Sequence, residues 1–558
     1  MSTTSTNTTT SATATAKPIQ VVLFPPTPVV NVPICVAYYL QSNNNRIESF
    51  NEKNIVSLTW TIDDHVVQHY DSSLSKPSSS LFKRIFFSSS SSSSSNDQSI
   101  NLFKPTIQQA NKELKVDVVI KCKELGILTA TPFTFTQKIH THPKRDEFVL
   151  DYDHINHYQM SLKEKVVVQQ QQQEKEEEEK EEEKETQEET KDENGSTIPK
   201  PPPLPPVETV KSSLSSYPSS NRVIPDDALR IIQFNIQADI YTHPQRYHYC
   251  PSYALYRPYR QYIIPEYILE HNGDIVCLQE VEVEFDRLRK VLIESGYNHT
   301  AVLAKETDRQ HEQCITFYQT SRIQVIEEHL VNYNTIEKHP ELISKEQIAS
   351  LTNNNVHNTN MYNQLLHTLH HNRHNILLLE CKKTNQKFIV VNVHLYWGAS
   401  SNDTNYYLQI LQMNMLLIMV QNILTRHKLG SWTTIDDNFE TNTPIIISGD
   451  FNNGPANYTY RYLAKGNLNV NTNQGLVNYQ HPFKFKSAYN LHPNGELKYT
   501  CITRDFKGCV DQIFVNDKIK VESLLEVEKY YGECLPTITE ASDHILIAST
   551  ITFLKNKE

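Results

Sequence analysis

Between Lys163 and Ser220 the chain has little to bury, and this break decides how everything else can fold. Gln169–Gln173 is all glutamine, Glu174–Glu193 holds 13 acidic and 4 basic residues, and Pro201–Pro203, Pro205 and Pro206 precede a serine-rich stretch. The Glu/Lys run has no apolar stripe to dock on a core. The prolines favour extended polyproline II. Such a segment is a spacer, so the 558 residues read as two folding units joined by a low-complexity Gln/Glu/Lys/Pro linker over 156–222. The linker also accounts for the charge. Of the formal −11, the stretch Glu174–Glu193 carries −9 and leaves −2 elsewhere, so a local basic groove for nucleic acid is not excluded.

Residues 1–17 are rich in Ser and Thr without an acid, which suits a transit peptide, but hold no Arg and only Lys17, which does not. A disordered tail is the expectation. Residues 18–155 read as a β-rich domain, with strands expected at Ile19–Phe24, Pro33–Tyr39, Val56–Ile62 and Leu114–Cys122. In LKVDVVIKC, Leu114, Val116, Val118, Ile120 and Cys122 alternate with Lys115, Asp117, Val119 and Lys121, the pattern of a half-buried antiparallel strand. With Trp60 as a large core residue, an immunoglobulin-like sandwich fits, and Ser88–Ser95 is a solvated loop. Nine scattered cysteines without a CxxC pair read as free thiols in a reducing, intracellular setting. No apolar run is long enough to span a bilayer.

Residues 223–558 mix short apolar runs with amphipathic stretches. RIIQFNI, DIVCLQE, CITFY, FIVVNVHLYW, PIIISGDFN, CVDQIFV and ILIASTITF alternate with Tyr259–Glu270, Phe285–Ser295 and Tyr406–Leu424, which predicts an α/β domain with helices outside sheets. A surface insertion is expected at about 337–375, Asn- and His-rich at its centre. Its His367, His370, His371 and His374 have the i,i+4 spacing that can bind zinc, but no carboxylates stand nearby, and a solvated helix is the expectation.

Polar residues recur at the ends of the apolar runs: Asn235, Glu280, Asn392 and His394, Asp450 and Asn452, Asp511, then Asp543 and His544. A buried carboxylate is costly without a partner. Repeated at strand ends, such groups point to one shared site, and hard oxygen donors suit Mg²⁺ or Mn²⁺. Taken singly, each has a plainer reading: Asn235 can cap a turn, Glu280 a helix, and His394 can be a satisfied core histidine.

The ordered set, an early Asn, LQE, a histidine after an apolar strand, GDFN and a late SDH, resembles the endonuclease/exonuclease/phosphatase superfamily over roughly Leu229–Phe553. YHYCPSYALYRPYRQYIIPEYILEHNGDIVCLQEV, HLYW, FKGCVDQIFV and a Leu-Pro pair ahead of SDH are similar to its deadenylase branch, and in particular to the 2′,5′-phosphodiesterases of that branch. The resemblance implies a four-layer α/β sandwich and hydrolysis of poly(A) from the 3′ end or of 2′,5′-oligoadenylate, in the mitochondrion or the cytoplasm. It also implies roles. Glu280, helped by Asn235 and Asp543, would hold Mg²⁺, with Mn²⁺ as a substitute. Asp450 would orient or deprotonate the attacking water or bind a second metal. Asn452 and His394 would donate to phosphate oxygens, and His544, oriented by Asp511, would act as acid/base or phosphate ligand. Phe506 would stack on an adenine. The chain departs from the family pattern at Gly398 and Ala399, Gln409, Cys501, Gln512 and Ala541, most of them expected to line the nucleotide groove. Two other readings compete: another phosphoesterase chemistry on the same fold, such as abasic-site endonuclease, phosphoinositide phosphatase or sphingomyelinase, and a non-catalytic adaptor that binds RNA or protein through the β-rich domain.

Overall fold

The β-branched runs form strands, and their alternation decides which side chains are covered. A computed structural model describes residues 225–558 apart from 283–284, 303–311, 353–355, 368–372, 398–403, 433–438, 473–474, 528–533 and 555–558, together with strand segments between 19 and 149. The tail, the serine run and the linker lie outside the described residues. Near the N-terminus, Ile19–Phe24, Cys35–Leu40 and Arg46–Ser49 form one antiparallel sheet. A second has the order His65–Asp71, Ile55–Ile62, Glu113–Cys122, Ile127–Lys138. Leu114 and Val116 are buried and Lys115 is exposed, as the period of two requires.

The larger unit is two packed sheets. The first is built from β1 (Glu147–Val149), β2 (Leu229–Asn235), β3 (Ile275–Glu282), β4 (Tyr297–His299) and β5 (Glu312–Gln319). The second takes β6 (Ile323–Asn332), β7 (Arg373–Cys381), β8 (Gln386–His394), β9 (Ile445–Asp450), β10 (Phe485–Ser487) and β11 (Asp511–Asn516). The chain then returns to the first sheet with β12 (Ile519–Leu525) and β13 (Ile547–Phe553). The spatial orders are β4-β5-β3-β2-β13-β12-β1 and β6-β7-β8-β9-β11-β10. Each sheet has one parallel pair, β2/β3 and β8/β9, and is otherwise antiparallel. Helix α1 (Arg257–Glu270) joins the first parallel pair. The connection to β7 carries α2 (Val356–Leu366), and α3 (Thr404–Arg426) joins the second parallel pair.

Period-two alternation sorts the second sheet between two cores. Leu377, Leu379, Phe388 and Val390 face the first sheet, in a cluster that α1 closes with Tyr259, Ile263 and Ile264. Ile376, Leu378, Ile389, Val391 and Val393 face α3, against Leu411, Met415 and Leu416. The outcome is helix, sheet, sheet, helix, the four-layer sandwich expected. Helix α3 is long and apolar enough to cross a membrane by length and composition, but 83% of its most apolar window is buried inside the protein. It is a core helix.

Two features depart from the linear reading. Strand β1 comes from before the linker, yet pairs with β12 at the edge of the first sheet, Phe148 opposite Leu524. The 337–375 stretch is also not merely superficial: Leu342, Ile343, Tyr362 and Leu365 are buried in the second core, and β7 already begins at Arg373.

Candidate active site

In α/β sheets, ligands sit outside the carboxyl ends of parallel strands. Here both parallel pairs end at one place. Asn235 closes β2 and pairs with Gln279, one residue before Glu280. His394 closes β8 and pairs with Asp450, the last residue of β9, which pairs in turn with Asp511 at the start of β11. Asp543 and His544 arrive just before β13, where His544 bridges to Cys501.

Local backbone devices aim these side chains. Gly449 is required because a Cβ there would lie 2.0 Å from the Val393 carbonyl oxygen, so only glycine lets β8 and β9 pair tightly behind Asp450. Glu280 sits in a bulge between Leu278 and Val281 with φ 58°, a left-handed conformation costly for a residue with a Cβ. That twist brings its carboxylate round to the strand ends. Asn452, at φ 51°, similarly turns the chain after Asp450.

The side chains then interlock. Asn235 donates from Nδ2 to both Glu280 and Asp450, at 2.9 Å each, and its Oδ1 accepts from the Gln237 N–H. Glu280 also accepts from the Ala238 N–H at 2.7 Å. Asp450 accepts from the Asn452 N–H at 2.8 Å, while the Asn452 amide donates to the Leu395 carbonyl. His394 Nε2 stands 3.5 Å from Asp450 and 4.0 Å from Glu280. His544 is held from behind: Nδ1 donates to Asp511 at 2.8 Å, and Nε2 lies 3.8 Å from Asp450 and 4.0 Å from Asp543.

The electrostatics follow from burial and crowding. Burial, with the Asp543 charge beside it, pushes the Glu280 carboxyl up to about 8. Burial pushes Asp450 up to about 7 against the pull of the His544 cation. Burial alone would lower His544, but Cys501, Asp511 and Asp450 together hold its imidazole well above the ordinary range. Glu280, Asp450 and Asp543 face one cavity of about 780 Å³ in which Arg246 is the only Lys or Arg among the described lining residues. Crowded carboxylates of this kind fit a hard divalent cation, and Asp450, Asp511 and His544 each offer a donor atom within 4.8 Å of the others.

Eight of the nine predicted site residues thus meet around one cavity wall or directly behind it. The ninth, Phe506, lines the mouth, 48% exposed, with its ring over Gly508, where a Cβ would come within 2.6 Å of Cζ. The family departures are sorted differently from expectation. Cys501 lines the cavity, but Gln409 is buried and donates to the Tyr396 carbonyl, Gln512 is buried against Cys509, and Ala541 is buried with its carbonyl on Arg260. Gly398 and Ala399 lie outside the described residues.

Several contributors escaped the linear reading. Tyr247 donates to Asp543 at 2.7 Å and accepts from Gln237 at 2.6 Å, so it orients that carboxylate. Arg260, with no exposed surface, ties the Ala541, Ile236 and Gln237 carbonyls and the Asp239 carboxylate, and so joins the loops after β2 and before β13. Between the sheets, Gln233 donates to Asp511 and Gln279 bonds both Gln233 and Asn392. The signal for these was available: a glutamine at an inward position of an otherwise apolar strand. His374 is not a solvated helix residue; it is 1% exposed on β7 and accepts the His394 N–H at 3.2 Å. His367 lines the cavity, and His370 and His371 lie outside the described residues.

Fold and site together define an α/β sandwich with acids and histidines gathered at the strand ends, and the chain is similar in sequence to phosphodiesterases and exoribonucleases. Its curated relatives are those to which the motifs pointed. The chain is 27% identical over 353 residues to the 2′,5′-phosphodiesterase 12 of Mus musculus, covering 59% of this chain and 52% of the relative. It is 29% identical over 356 residues to the CCR4-Not complex 3′-5′-exoribonuclease subunit Ccr4 of Mycosarcoma maydis, covering 58% and 50%. The chain spans about half the length of the curated relatives it matches. Among solved structures, ANGEL2, a 2′,3′-cyclic phosphatase, aligns at a TM-score of 0.44 and 20% identity over 58% of this chain and 95% of that one. The human Nocturnin catalytic domain aligns at 0.39 and 21%, over 59% and 96%. No family model matches the chain.

Proposed function

We propose that this chain is a Mg²⁺-dependent phosphodiesterase that shortens RNA from its 3′ end, with poly(A) or 2′,5′-linked oligoadenylate as substrate. The observation that carries the reading is the convergence of Asn235, Glu280, Asp450, Asp511, Asp543 and His544 on one cavity with the half-exposed Phe506 at its mouth. The names of its relatives, a 2′,5′-phosphodiesterase and a 3′-5′-exoribonuclease, supply the two linkages.

Glu280 and Asp543 would hold Mg²⁺, or Mn²⁺ in its place, with Asn235 fixing Glu280 from behind; a bound ion would supply positive charge to offset that of the phosphate. Asp450, gripped at both oxygens by Asn235 and the Asn452 N–H, orients the attacking water and takes its proton. Its elevation to about 7 matches a base working near neutrality. His544 is held as a cation by Asp511 and donates to the phosphate or to the leaving oxygen. His394, fixed at its backbone by His374, donates to a phosphate oxygen, and Asn452 does so when it releases Leu395. Phe506 offers a stacking face to the terminal adenine. Seven described cysteines are free thiols, which suits a reducing compartment.

The deciding experiment assays the purified chain on poly(A), 2′,5′-oligoadenylate, abasic DNA and a phosphoinositide, with Mg²⁺ and with chelator. Metal-dependent release of nucleotides from either adenylate supports the reading. Turnover only on abasic DNA or phosphoinositide assigns a different chemistry to the fold, and no turnover on any substrate leaves the adaptor reading.

A further inference from the structure

Cys501 has no part in the reaction just described, yet it lines the cavity beside Asp543 and His544, which do. Cys501 and His544 form an isolated antiparallel bridge. The flanking hydrogen bonds run from the Ile502 N–H to the Asp543 carbonyl and from the Ile545 N–H to the Thr500 carbonyl, at 3.0 and 2.6 Å. Cys501 and His544 are therefore the non-hydrogen-bonded pair, the closer of the two kinds, with both side chains on one face. Asp543 adds a carboxylate from the adjacent position. One donor atom from each of the three lies within 4.8 Å of the other two, and all three residues are buried and line the cavity.

We propose that Cys501, Asp543 and His544 form a second cation site, selective for thiophilic divalent ions of the zinc class, and that filling it stops hydrolysis by occupying the His544 Nε2.

The donors fit that ion and not magnesium. A thiolate, an imidazole and a carboxylate are a zinc set, whereas Mg²⁺ takes oxygen. Zinc–ligand bonds of about 2.0–2.3 Å place ligands roughly 3.5 Å apart, so the three side chains draw in by about 1 Å. The surrounding contacts already orient them. His544 donates from Nδ1 to Asp511, which leaves Nε2 facing the cavity in the carboxylate–histidine–metal arrangement that fixes ligand histidines. Tyr247 holds Asp543 by Oδ2, and Oδ1 faces His544. The fourth position opens on the cavity. Binding balances as one divalent ion in and two protons out to solvent, from the Cys501 thiol and from the His544 Nε2. Thiolate, carboxylate and ion then sum to zero charge in a buried place.

The binding claim stands apart from the proposed hydrolysis; the inhibition claim rests on it. The test titrates the full chain, reduced and freed of metal, with Co²⁺. One equivalent should give a thiolate-to-cobalt charge-transfer band that Zn²⁺ abolishes and Mg²⁺ does not, and Cys501→Ser should lose it. Should that variant fail to fold, Cys501→Asn takes its place. No band, or a band that survives the replacement of Cys501, overturns the site. In Mg²⁺ buffer, half-inhibition by Zn²⁺ should require at least tenfold more zinc in the variant, each protein compared with its own zinc-free rate. Equal zinc sensitivity places inhibition elsewhere. If no substrate is hydrolysed, the cobalt titration alone decides.

Discussion

The carboxylates of this site should make the metal-free protein less stable as pH rises, and Glu280 sets the size of the effect. Its carboxyl sits at about 8 in the fold against 4.5 in a free chain. From pH 5 to 8 the unfolded chain has released that proton and the folded protein still binds it, so unfolding releases a proton and stability falls with pH. Each unit corresponds to about 1.4 kcal/mol, so three units give up to about 4 kcal/mol. Asp450 is raised for the same reason, burial, and adds a slope of the same sign. His544, held above its ordinary range, contributes stability that is complete below about pH 6.5 and lost above it. The perturbation that isolates one group is Glu280→Gln. It alters the hydrogen bonds from Asn235 and Ala238 by an amount that does not depend on pH, so the informative quantity is how the parent–variant difference changes. Chemical unfolding in chelator at pH 5, 6, 7 and 8 should show the variant gaining on the parent by up to about 4 kcal/mol across the range. Millimolar Mg²⁺ should stabilise the parent at pH 8 far more than the variant. A parent–variant difference constant from pH 5 to 8 would refute the claim that Glu280 is a buried charge awaiting a cation.

Glu280→Ala should reduce hydrolysis by on the order of 10³-fold or more while the fold persists, read as turnover beside circular dichroism; near-parental turnover removes Glu280 from the metal site. Asp511→Asn should lower kcat by about 10²–10⁴ and shift the alkaline limb of the kcat profile to lower pH, because His544 loses its charged acceptor; an unmoved profile means His544 does not titrate in the reaction. Phe506→Ala should weaken turnover on poly(A) by about 1–3 kcal/mol of stacking more than on matched U- and C-homopolymers, with the melting midpoint nearly unchanged, since the ring is half exposed; equal losses on all three return Phe506 to its loop. Gly449→Val should prevent folding of the catalytic unit, because the added Cβ meets the Val393 carbonyl at 2.0 Å; a soluble variant with parental melting would mean the two strands do not pair as described.

Legibility divided along a physical line. The acids and histidines of the site were readable because the strands are buried on both faces, and a polar residue at the end of a long apolar run stands out against that background. Gly449 was readable as part of GDFN, though its reason, the approach to Val393, belongs to the sheet. Contacts between distant segments were not readable. Arg260 looked like one more charge on an amphipathic helix, yet it holds the loop after β2 and also reaches Ala541, 281 residues further along the chain. His374 was hidden by composition: the Asn- and His-rich stretch before it masks a strand whose apolar alternation starts only at Ile376. β1 was separated from its partner β12 by the linker, and no local pattern reports a pairing across such a gap. That pairing bears on the unit itself. A strand of three residues adds few hydrogen bonds, but it covers the open edge beside β12, and an uncovered edge invites pairing with other chains. A fragment starting at Ser219 would keep every side chain of the candidate site and expose that edge. The segment Glu147–Val149 therefore contributes to the larger unit by covering the edge of its first sheet.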